Sequence, residues 1–108
     1  EEVVVQRYVE RPLLLHGRKF DIRAFCLVAS VRRPTVVLRY RDMYIRRSSE
    51  PYCPEDLSQR TAHLTNICVQ KHHPRFGDDS VWSLDQLQAY LARHPLERES
   101  DGGDGGGG

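Results

Sequence analysis

The sequence predicts an α+β fold: a mostly antiparallel sheet with one helix near the C-terminus. Short segments rich in Val, Leu, Ile and Tyr are separated by brief turn signals, which is typical of antiparallel strands. One late segment instead combines a helix-start signature with apolar residues at helical spacing. With 108 residues, of which 39% are hydrophobic and 29% charged, the chain suits one ordinary domain with a modest core.

The N-terminal part of the chain is predicted to contain two strands and a turn. Residues 3–8 open with three consecutive valines, which is typical of a strand buried on both faces. Pro12 interrupts that strand because proline lacks a backbone donor. Residues 13–15 form a short apolar segment that ends at the turn signal His16-Gly17. Residues 19–30 are then predicted to be one long strand.

A hairpin and a meander are predicted next. Residues 31–34, Val-Arg-Arg-Pro, indicate a turn, and residues 35–41 return as another strand. A tight connection leads to residues 44–46, so three strands with short connections predict an antiparallel meander. Residues 51–60 are predicted to be a loop, and residues 64–69 a further short extended segment.

The clearest local signal in the chain is the start of a helix. Ser83 and Gln86 fit a capping box, with Ser83 as N-cap and Gln86 at the N3 position. Trp82 and Leu87 stand where the two residues of a hydrophobic staple are found. The helix is expected to end at His94-Pro95 because proline cannot continue it.

Composition and charge limit the organisation and the class of partner. We expect one folded unit over residues 1–96 and a disordered Asp/Gly-rich tail over residues 97–108, where six of the eight glycines lie. The net charge of +1 gives no reason to expect a nucleic-acid partner. No apolar run approaches the roughly 20 residues of a membrane span, so no membrane partner is expected. Three cysteines without CxxC spacing favour a reducing compartment.

The segment GRKFDIR, residues 17–23, is the first candidate binding element. In a strand, Lys19, Asp21 and Arg23 share one face, and Phe20 and Ile22 share the other. A lysine and an arginine suit phosphate groups, and an aspartate between them can accept a hydrogen bond from a ribose hydroxyl. A cross-strand ladder of salt bridges produces a similar pattern. The pattern alone therefore leaves a nucleotide site and a salt-bridge ladder equally open.

Three further segments carry polar groups with two possible interpretations each. QRYVE, residues 6–10, is either a hinge whose backbone meets an adenine edge or a plain strand end. Residues 63–66, His-Leu-Thr-Asn, are either a turn satisfied by its own backbone or a ligand contact. The arginines at 39, 41, 46 and 47 form an exposed basic edge, unless one of them lies beside the GRKFDIR strand and reaches the same ligand.

Four segments in this order resemble the tubulin–tyrosine ligase family of the ATP-grasp superfamily. They are VVQRYVERPLLL, GRKFDIRAFCLV, YRDMYIRRSSEPY and HLTNICVQK, and they lie within residues 3–73. The combination of KFDIR with HLTN is highly specific, and LDQLQAYL lies where the family has a helix. The SEPY element is most similar to tubulin–tyrosine ligase itself, rather than to the glutamylase and glycylase branches.

The resemblance implies a partial ATP-grasp domain from an ATP-dependent ligase. Such an enzyme joins an amino-acid co-substrate to a carboxylate of tubulin's acidic C-terminal tail through an acyl phosphate. Which amino acid is added, tyrosine, glutamate or glycine, stays open. The implied location is the cytoplasm, at the cytoskeleton or in a cilium. The alternative is a non-catalytic remnant that acts as a nucleotide- or protein-binding module.

Mg²⁺ is the implied cofactor of such a ligase besides ATP. The family's magnesium ligands, an Asp and a Glu-x-Asn pair, lie downstream of the matching segments, so we expect them outside this chain. No residue of this chain is therefore assigned to a metal. The chain begins inside a strand-like run without a methionine, so we expect it to be a piece of a longer protein. Because the resemblance implies that the magnesium ligands lie outside this piece, we expect it to be inactive on its own.

The resemblance also assigns roles to individual residues. The adenine-binding hinge consists of Gln6, Arg7, Tyr8 and Val9. Lys19 and Asp21 meet the ribose and the nearby phosphate region, while Arg23 and Arg46 are catalytic residues that stabilise the terminal phosphate and the acyl intermediate. The nucleotide and substrate pocket is lined by His63, Leu64, Thr65 and Asn66, with Thr65 near the ribose. The resemblance also allows Arg39, Arg41 and Arg47 to attract the acidic tail.

Overall fold

A computed structural model describes residues 1–95 of the protein as two antiparallel sheets and three helices. The strands are β1 (Leu14–Leu15), β2 (Arg18–Arg23), β3 (Cys26–Ser30), β4 (Val36–Arg39), β5 (Tyr44–Arg47) and β6 (Val81–Ser83). The helices are α1 (Arg60–His63), α2 (Ile67–Gln70) and α3 (Leu84–Arg93), with a 3₁₀ turn at Asp78–Ser80. The predicted α+β class with mostly antiparallel pairing is therefore confirmed.

Four of the strands form one sheet in the order β1-β2-β5-β6, and β3 and β4 form a separate hairpin. His16 and Gly17 close the β1–β2 turn with φ angles of 50° and 73°. Two successive residues with positive φ form the type of tight turn whose twist matches that of the flanking strands. Glycine adopts a positive φ at little energetic cost. The turn predicted at these two residues is confirmed.

Helix α3 begins where its sequence signature predicts. The Ser83 Oγ accepts a hydrogen bond from the Gln86 amide at 3.2 Å, and the Gln86 Oε1 accepts one from the Ser83 amide at 2.8 Å. The helix ends at Arg93, with the His94 amide bonded to the Tyr90 carbonyl at 2.9 Å. The predicted capping box and helix end are both confirmed.

The core lies between α3 and one face of the four-stranded sheet. Its buried members are Leu15, Ile45 and Leu87. Partly buried residues packed against them are Phe20, Trp82, Leu84, Tyr90 and Leu91. Trp82 and Leu87 thus meet in one cluster, as the predicted staple requires. The core is small, and it fixes the β2 and β5 strands whose other face carries the polar residues.

The first predicted strand is wrong. Residues 3–8 form no strand, and the valine side chains at positions 3, 4 and 5 are 76%, 84% and 91% exposed. Valine raises β-propensity, but a strand also needs a neighbour to pair with and a layer to pack against. Within residues 1–95, nothing supplies either for this segment.

The single long strand predicted over residues 19–30 is also wrong. The predicted strand is interrupted at Ala24 and Phe25, and the two parts, β2 and β3, belong to different sheets. The β3–β4 hairpin over the predicted turn at 31–34 is confirmed, but the meander is not, because β2 pairs directly with β5. Residues 64–69 are not a strand either, since α2 begins at Ile67.

The predicted disordered tail, residues 97–108, lies outside the described residues. Within residues 1–95, no helix combines the length and the apolar character that crossing a lipid bilayer requires.

Candidate functional site

Strands β2 and β5 present a polar face on the side of the sheet away from α3. Their register places Asp21 directly opposite Arg46. Because side chains alternate along a strand, Lys19, Asp21 and Arg23 point away from the face on which Phe20 packs against the core. This polar face is called the β2 face below.

Asp21 lies at the centre of a hydrogen-bond network on the β2 face. The Arg46 Nε donates to its Oδ1 at 2.7 Å, and the Arg46 Nη2 donates to its Oδ2. The Thr65 hydroxyl also donates to Oδ2, at 2.9 Å, and Thr65 is only 6% exposed. Asp21, Arg46 and Thr65 therefore form one unit, called the Asp21 cluster, and it includes the cross-strand salt bridge that the sequence left open.

Both charged members of the Asp21 cluster are held in their ionised forms. Partial burial alone would raise the pKa of Asp21, but hydrogen bonds from Arg46 and Thr65, together with the Arg46 charge, bring this pKa below its ordinary value. The hydrogen bond to Asp21 in turn raises the pKa of Arg46. At neutral pH the cluster is an ion pair with a neutral donor attached.

A second group of site residues surrounds Lys19. The Lys19 Nζ donates to the His63 carbonyl at 2.9 Å and to the Tyr8 hydroxyl at 3.3 Å, and it lies 4.7 Å from the centre of the Tyr8 ring. The Tyr8 hydroxyl is 2.6 Å from the His63 Nδ1, and the His63 Nε2 is 2.7 Å from the Asp56 carbonyl oxygen. Because a carbonyl only accepts, Nε2 carries a proton and donates to Asp56.

Gln70 is a buried residue that sequence reasoning missed. Its side chain accepts from the Ser49 amide at 2.9 Å and donates to the carbonyls of Thr61 and Leu64 at 2.9 and 2.6 Å. Gln70 is 1% exposed, so these bonds fix the segment that carries His63 and Thr65. The only sequence signal was a polar residue at the end of an apolar run.

Tyr52 is a second residue that sequence reasoning missed. Its ring meets the His63 ring edge-on with 5.4 Å between centroids, and its hydroxyl donates to the Glu10 carbonyl at 2.6 Å. It therefore ties the N-terminal segment to the Lys19 group. Tyr52 belongs to the SEPY element, whose order along the chain gave no indication of this contact.

Six of the predicted site residues form two hydrogen-bonded groups, and the others lie outside these groups. Tyr8, Lys19 and His63 meet in one group, and Asp21, Arg46 and Thr65 in the other. Arg23 is exposed, with its guanidinium 5.4 Å from the centre of the Phe25 ring. Exposed positions without a place in either group are Gln6, Arg7 and Val9.

Two predicted pocket residues, Leu64 and Asn66, make hydrogen bonds through their backbone carbonyls. The Leu64 carbonyl accepts from Gln70, and the Asn66 carbonyl accepts from the amide of Val69 at 2.9 Å. Both residues are exposed. Of the arginines considered for the acidic tail, Arg47 is 6% exposed and lies 4.8 Å from the Trp82 ring centre, so it is not available for such a partner.

Metal-ligating side chains are scattered over the described part of the chain. Within residues 1–95, no three His, Cys, Asp or Glu side chains lie close enough together to hold a metal ion. These residues therefore offer no ligand set that fits the Mg²⁺ implied by the resemblance.

The fold and the β2 face define an α+β unit with a site that combines fixed cations, a carboxylate and a hydroxyl. Residues 1–100 match the family model described as the tubulin-tyrosine ligase family. The chain therefore belongs to the tubulin–tyrosine ligase family, which confirms the resemblance drawn from its four segments.

Several curated relatives are similar to this chain. It is 43% identical over 95 residues to tubulin monoglycylase TTLL3 of Homo sapiens, covering 82% of this chain and 12% of the relative. It is 39% identical over 98 residues to tubulin glycylase 3B of Drosophila melanogaster, covering 84% and 13%. It is 41% identical over 96 residues to "Probable tubulin polyglutamylase TTLL9" of Rattus norvegicus, covering 85% and 20%.

The chain thus spans between an eighth and a fifth of the length of these relatives. They are named as glycylases and a polyglutamylase, so they give no support to the narrower prediction of a tyrosine ligase. That branch assignment stays a prediction.

Proposed function

We propose that the protein binds ATP and takes part in joining an amino acid to a carboxylate of tubulin. The observation that carries this proposal is that Lys19 and the Asp21 cluster lie on one face of the sheet, in a member of the tubulin–tyrosine ligase family. The relatives' names, tubulin glycylase and tubulin polyglutamylase, support tubulin as the acceptor.

The proposed reaction has two steps. A tubulin carboxylate oxygen attacks the γ-phosphorus of ATP, so that an acyl phosphate forms and ADP leaves. The amine of the amino acid then attacks the acyl carbon, phosphate leaves, and the amine nitrogen loses a proton. Both steps concentrate negative charge on phosphate oxygens, and fixed cations stabilise such charge. Mg²⁺ would add charge neutralisation of the same kind.

The cations on the β2 face are placed for such a task. Arg46 is 16% exposed and is held by Asp21, so its guanidinium does not have to be ordered when phosphate arrives. Lys19 is held by Tyr8 and the His63 carbonyl and would supply a second positive charge. Arg23 is the next residue on the same strand face, and its exposed side chain would supply a third positive charge.

The adenine is proposed to meet the backbone of residues 6–9. This segment has no regular structure, but Tyr8 anchors it through His63 and Lys19. Anchoring one side chain in the segment limits the positions that its backbone N–H and C=O groups can adopt. Edge recognition by these groups needs no particular side chain at positions 6, 7 and 9, which agrees with their exposure.

ATP binding by the purified protein, measured by calorimetry, tests the nucleotide part of this proposal. We expect Lys19→Ala to weaken ATP binding about tenfold because it removes a charge-assisted contact to phosphate. Arg32→Ala, in the exposed turn of the β3–β4 hairpin, is the matched control that removes one positive charge elsewhere. Equal ATP affinity in wild type and Lys19→Ala would reject the site.

Transfer of labelled glycine, glutamate or tyrosine to tubulin tests the ligase part. ATP-dependent incorporation of one of them supports the proposal and identifies the branch. With the full-length protein, ATP binding without incorporation of any of the three would favour the non-catalytic nucleotide-binding module instead.

A further inference from the structure

The N-terminal segment, residues 1–12, is attached to the folded unit by side chains rather than by strand pairing. We infer that this segment is a strap, which the hydroxyls of Tyr8 and Tyr52 fasten in place and which shields the side chains of Lys19 and His63. Fastening and shielding are properties of the chain itself, so they hold whether or not the protein binds ATP.

The strap has no backbone support of its own. Within residues 1–95, no backbone–backbone hydrogen bond joins residues 1–13 to another part of the chain, and strand pairing begins only at Leu14. The valine side chains at positions 3, 4 and 5 are largely exposed, so apolar packing contributes little to holding the segment. Side-chain contacts must therefore keep the strap in place.

Tyr8 is the first attachment point of the strap. Its hydroxyl lies 2.6 Å from the His63 Nδ1 and accepts a hydrogen bond from the Lys19 Nζ at 3.3 Å. The Lys19 Nζ also lies 4.7 Å from the centre of the Tyr8 ring, which is within the range of a cation–π contact. Tyr8 thus contacts two groups of the folded unit with a single side chain.

Tyr52 provides the second attachment point, from the side of the folded unit. Its hydroxyl donates to the Glu10 carbonyl at 2.6 Å. Tyr52 is itself fixed, because its amide donates to the Gly17 carbonyl at 2.8 Å and its ring packs edge-on against the His63 ring. Since Tyr8 and Glu10 are close neighbours along the strap, loosening one attachment point should loosen the other.

The attached strap shields an imidazole and an amine. The rings of Tyr8 and Tyr52 both contact the His63 ring edge-on, with centroids 5.8 and 5.4 Å away, and His63 is only 7% exposed. The Lys19 ammonium donates to the Tyr8 hydroxyl and to the His63 carbonyl, which leaves one of its three N–H groups without a partner within residues 1–95. Release of the strap would therefore make both groups more accessible to an incoming molecule.

Acylation of the two lysines in the chain, Lys19 and Lys71, tests the shielding. Lys71 is exposed and serves as the internal reference when both amines compete for a limiting acylating reagent. We expect Tyr52→Phe, which removes only the hydroxyl that holds Glu10, to raise the acylation of Lys19 relative to Lys71 about fivefold in mass spectrometry. Tyr40→Phe removes the hydroxyl of an exposed tyrosine at the base of the β3–β4 hairpin and should leave the ratio unchanged. An unchanged ratio in Tyr52→Phe would overturn the inference.

Limited trypsin digestion gives a second readout, on the strap itself. Trypsin cleaves after Arg7 but not after the strap's other arginine, which precedes a proline. Because trypsin binds an extended chain, Tyr8 must leave the surface before the bond between Arg7 and Tyr8 is cut. We expect Tyr52→Phe to speed this cleavage about fivefold, while cleavage after Arg46, inside strand β5, keeps its wild-type rate. An unchanged rate after Arg7 would overturn the inference. Equal acceleration at both bonds would overturn it too, because Tyr52 would then support the whole fold rather than the strap.

Discussion

The strands of the β3–β4 hairpin are richer in apolar residues than those of the four-stranded sheet, yet their side chains are far less buried. In the four-stranded sheet, Leu15 and Ile45 are both 0% exposed. In the hairpin, Leu27 is 61% exposed and Leu38 is 53% exposed. Helix α3 packs on the first sheet, whereas nothing within residues 1–95 covers the hairpin in this way. Burial in this molecule therefore depends on a covering layer rather than on the apolar content of the strand.

The same comparison explains where the site lies. The β2 and β5 strands are fixed on one face by the core, so their opposite face is rigid enough to hold the Asp21 cluster in register. The hairpin joins these two strands and is closed at its base by the Tyr40 amide bonded to the Phe25 carbonyl at 2.9 Å. Its own strands carry no part of either polar group of the site.

The largest effect is expected in the packed sheet, for Ile45→Ala. Ile45 is fully buried, so its truncation should lower the free energy of unfolding by about 3 kcal/mol, the sum of lost burial and a residual cavity. Ile22→Ala is the matched control, because Ile22 is paired with Ile45 in the neighbouring strand yet is 49% exposed. Urea unfolding measures both, and equal losses would contradict the contrast in burial.

A smaller effect is expected at the polar face, as a dependence of stability on pH. The pKa of Asp21 is lower in the folded protein than its ordinary value of 3.8. Its contribution to the free energy of unfolding is therefore fully present above that value and is lost as the pH falls through the lower, folded pKa. Asp21→Asn should remove this part of the acid dependence, which lies below the ordinary pKa of 3.8.

Asp56→Asn is the control for the acid dependence. The pKa of Asp56 is also lowered, by hydrogen bonds from Ser58, but these lie in an exposed turn. We expect its effect to be weaker because solvent screens that turn. An identical acid profile for wild type and Asp21→Asn would show that the Asp21–Arg46 pair adds nothing to folding.

What the sequence could predict depended on how local the signal was. The capping box of α3 involves residues three positions apart, so Ser83 and Gln86 revealed it directly. Asp21 and Arg46 are 25 positions apart, and no local pattern states which strand lies beside β2. Family resemblance placed both residues in the site, but their ion pair follows only from the β2–β5 register. Gln70 was missed because a buried polar residue is recognisable only once its partners are known.

The smallest effect is expected in the hairpin, for Leu38→Ser. Since Leu38 is already half exposed, replacing it should change the free energy of unfolding by no more than about 0.5 kcal/mol. Leu87→Ser in α3 makes the same chemical change at a site that is 5% exposed, and there we expect a clearly larger loss of stability than for Leu38→Ser. Comparable losses in urea unfolding would mean that the hairpin is covered in solution, since an exposed leucine has little burial to lose. Both sheets would then be covered on one face, and they would differ only in which surface covers them.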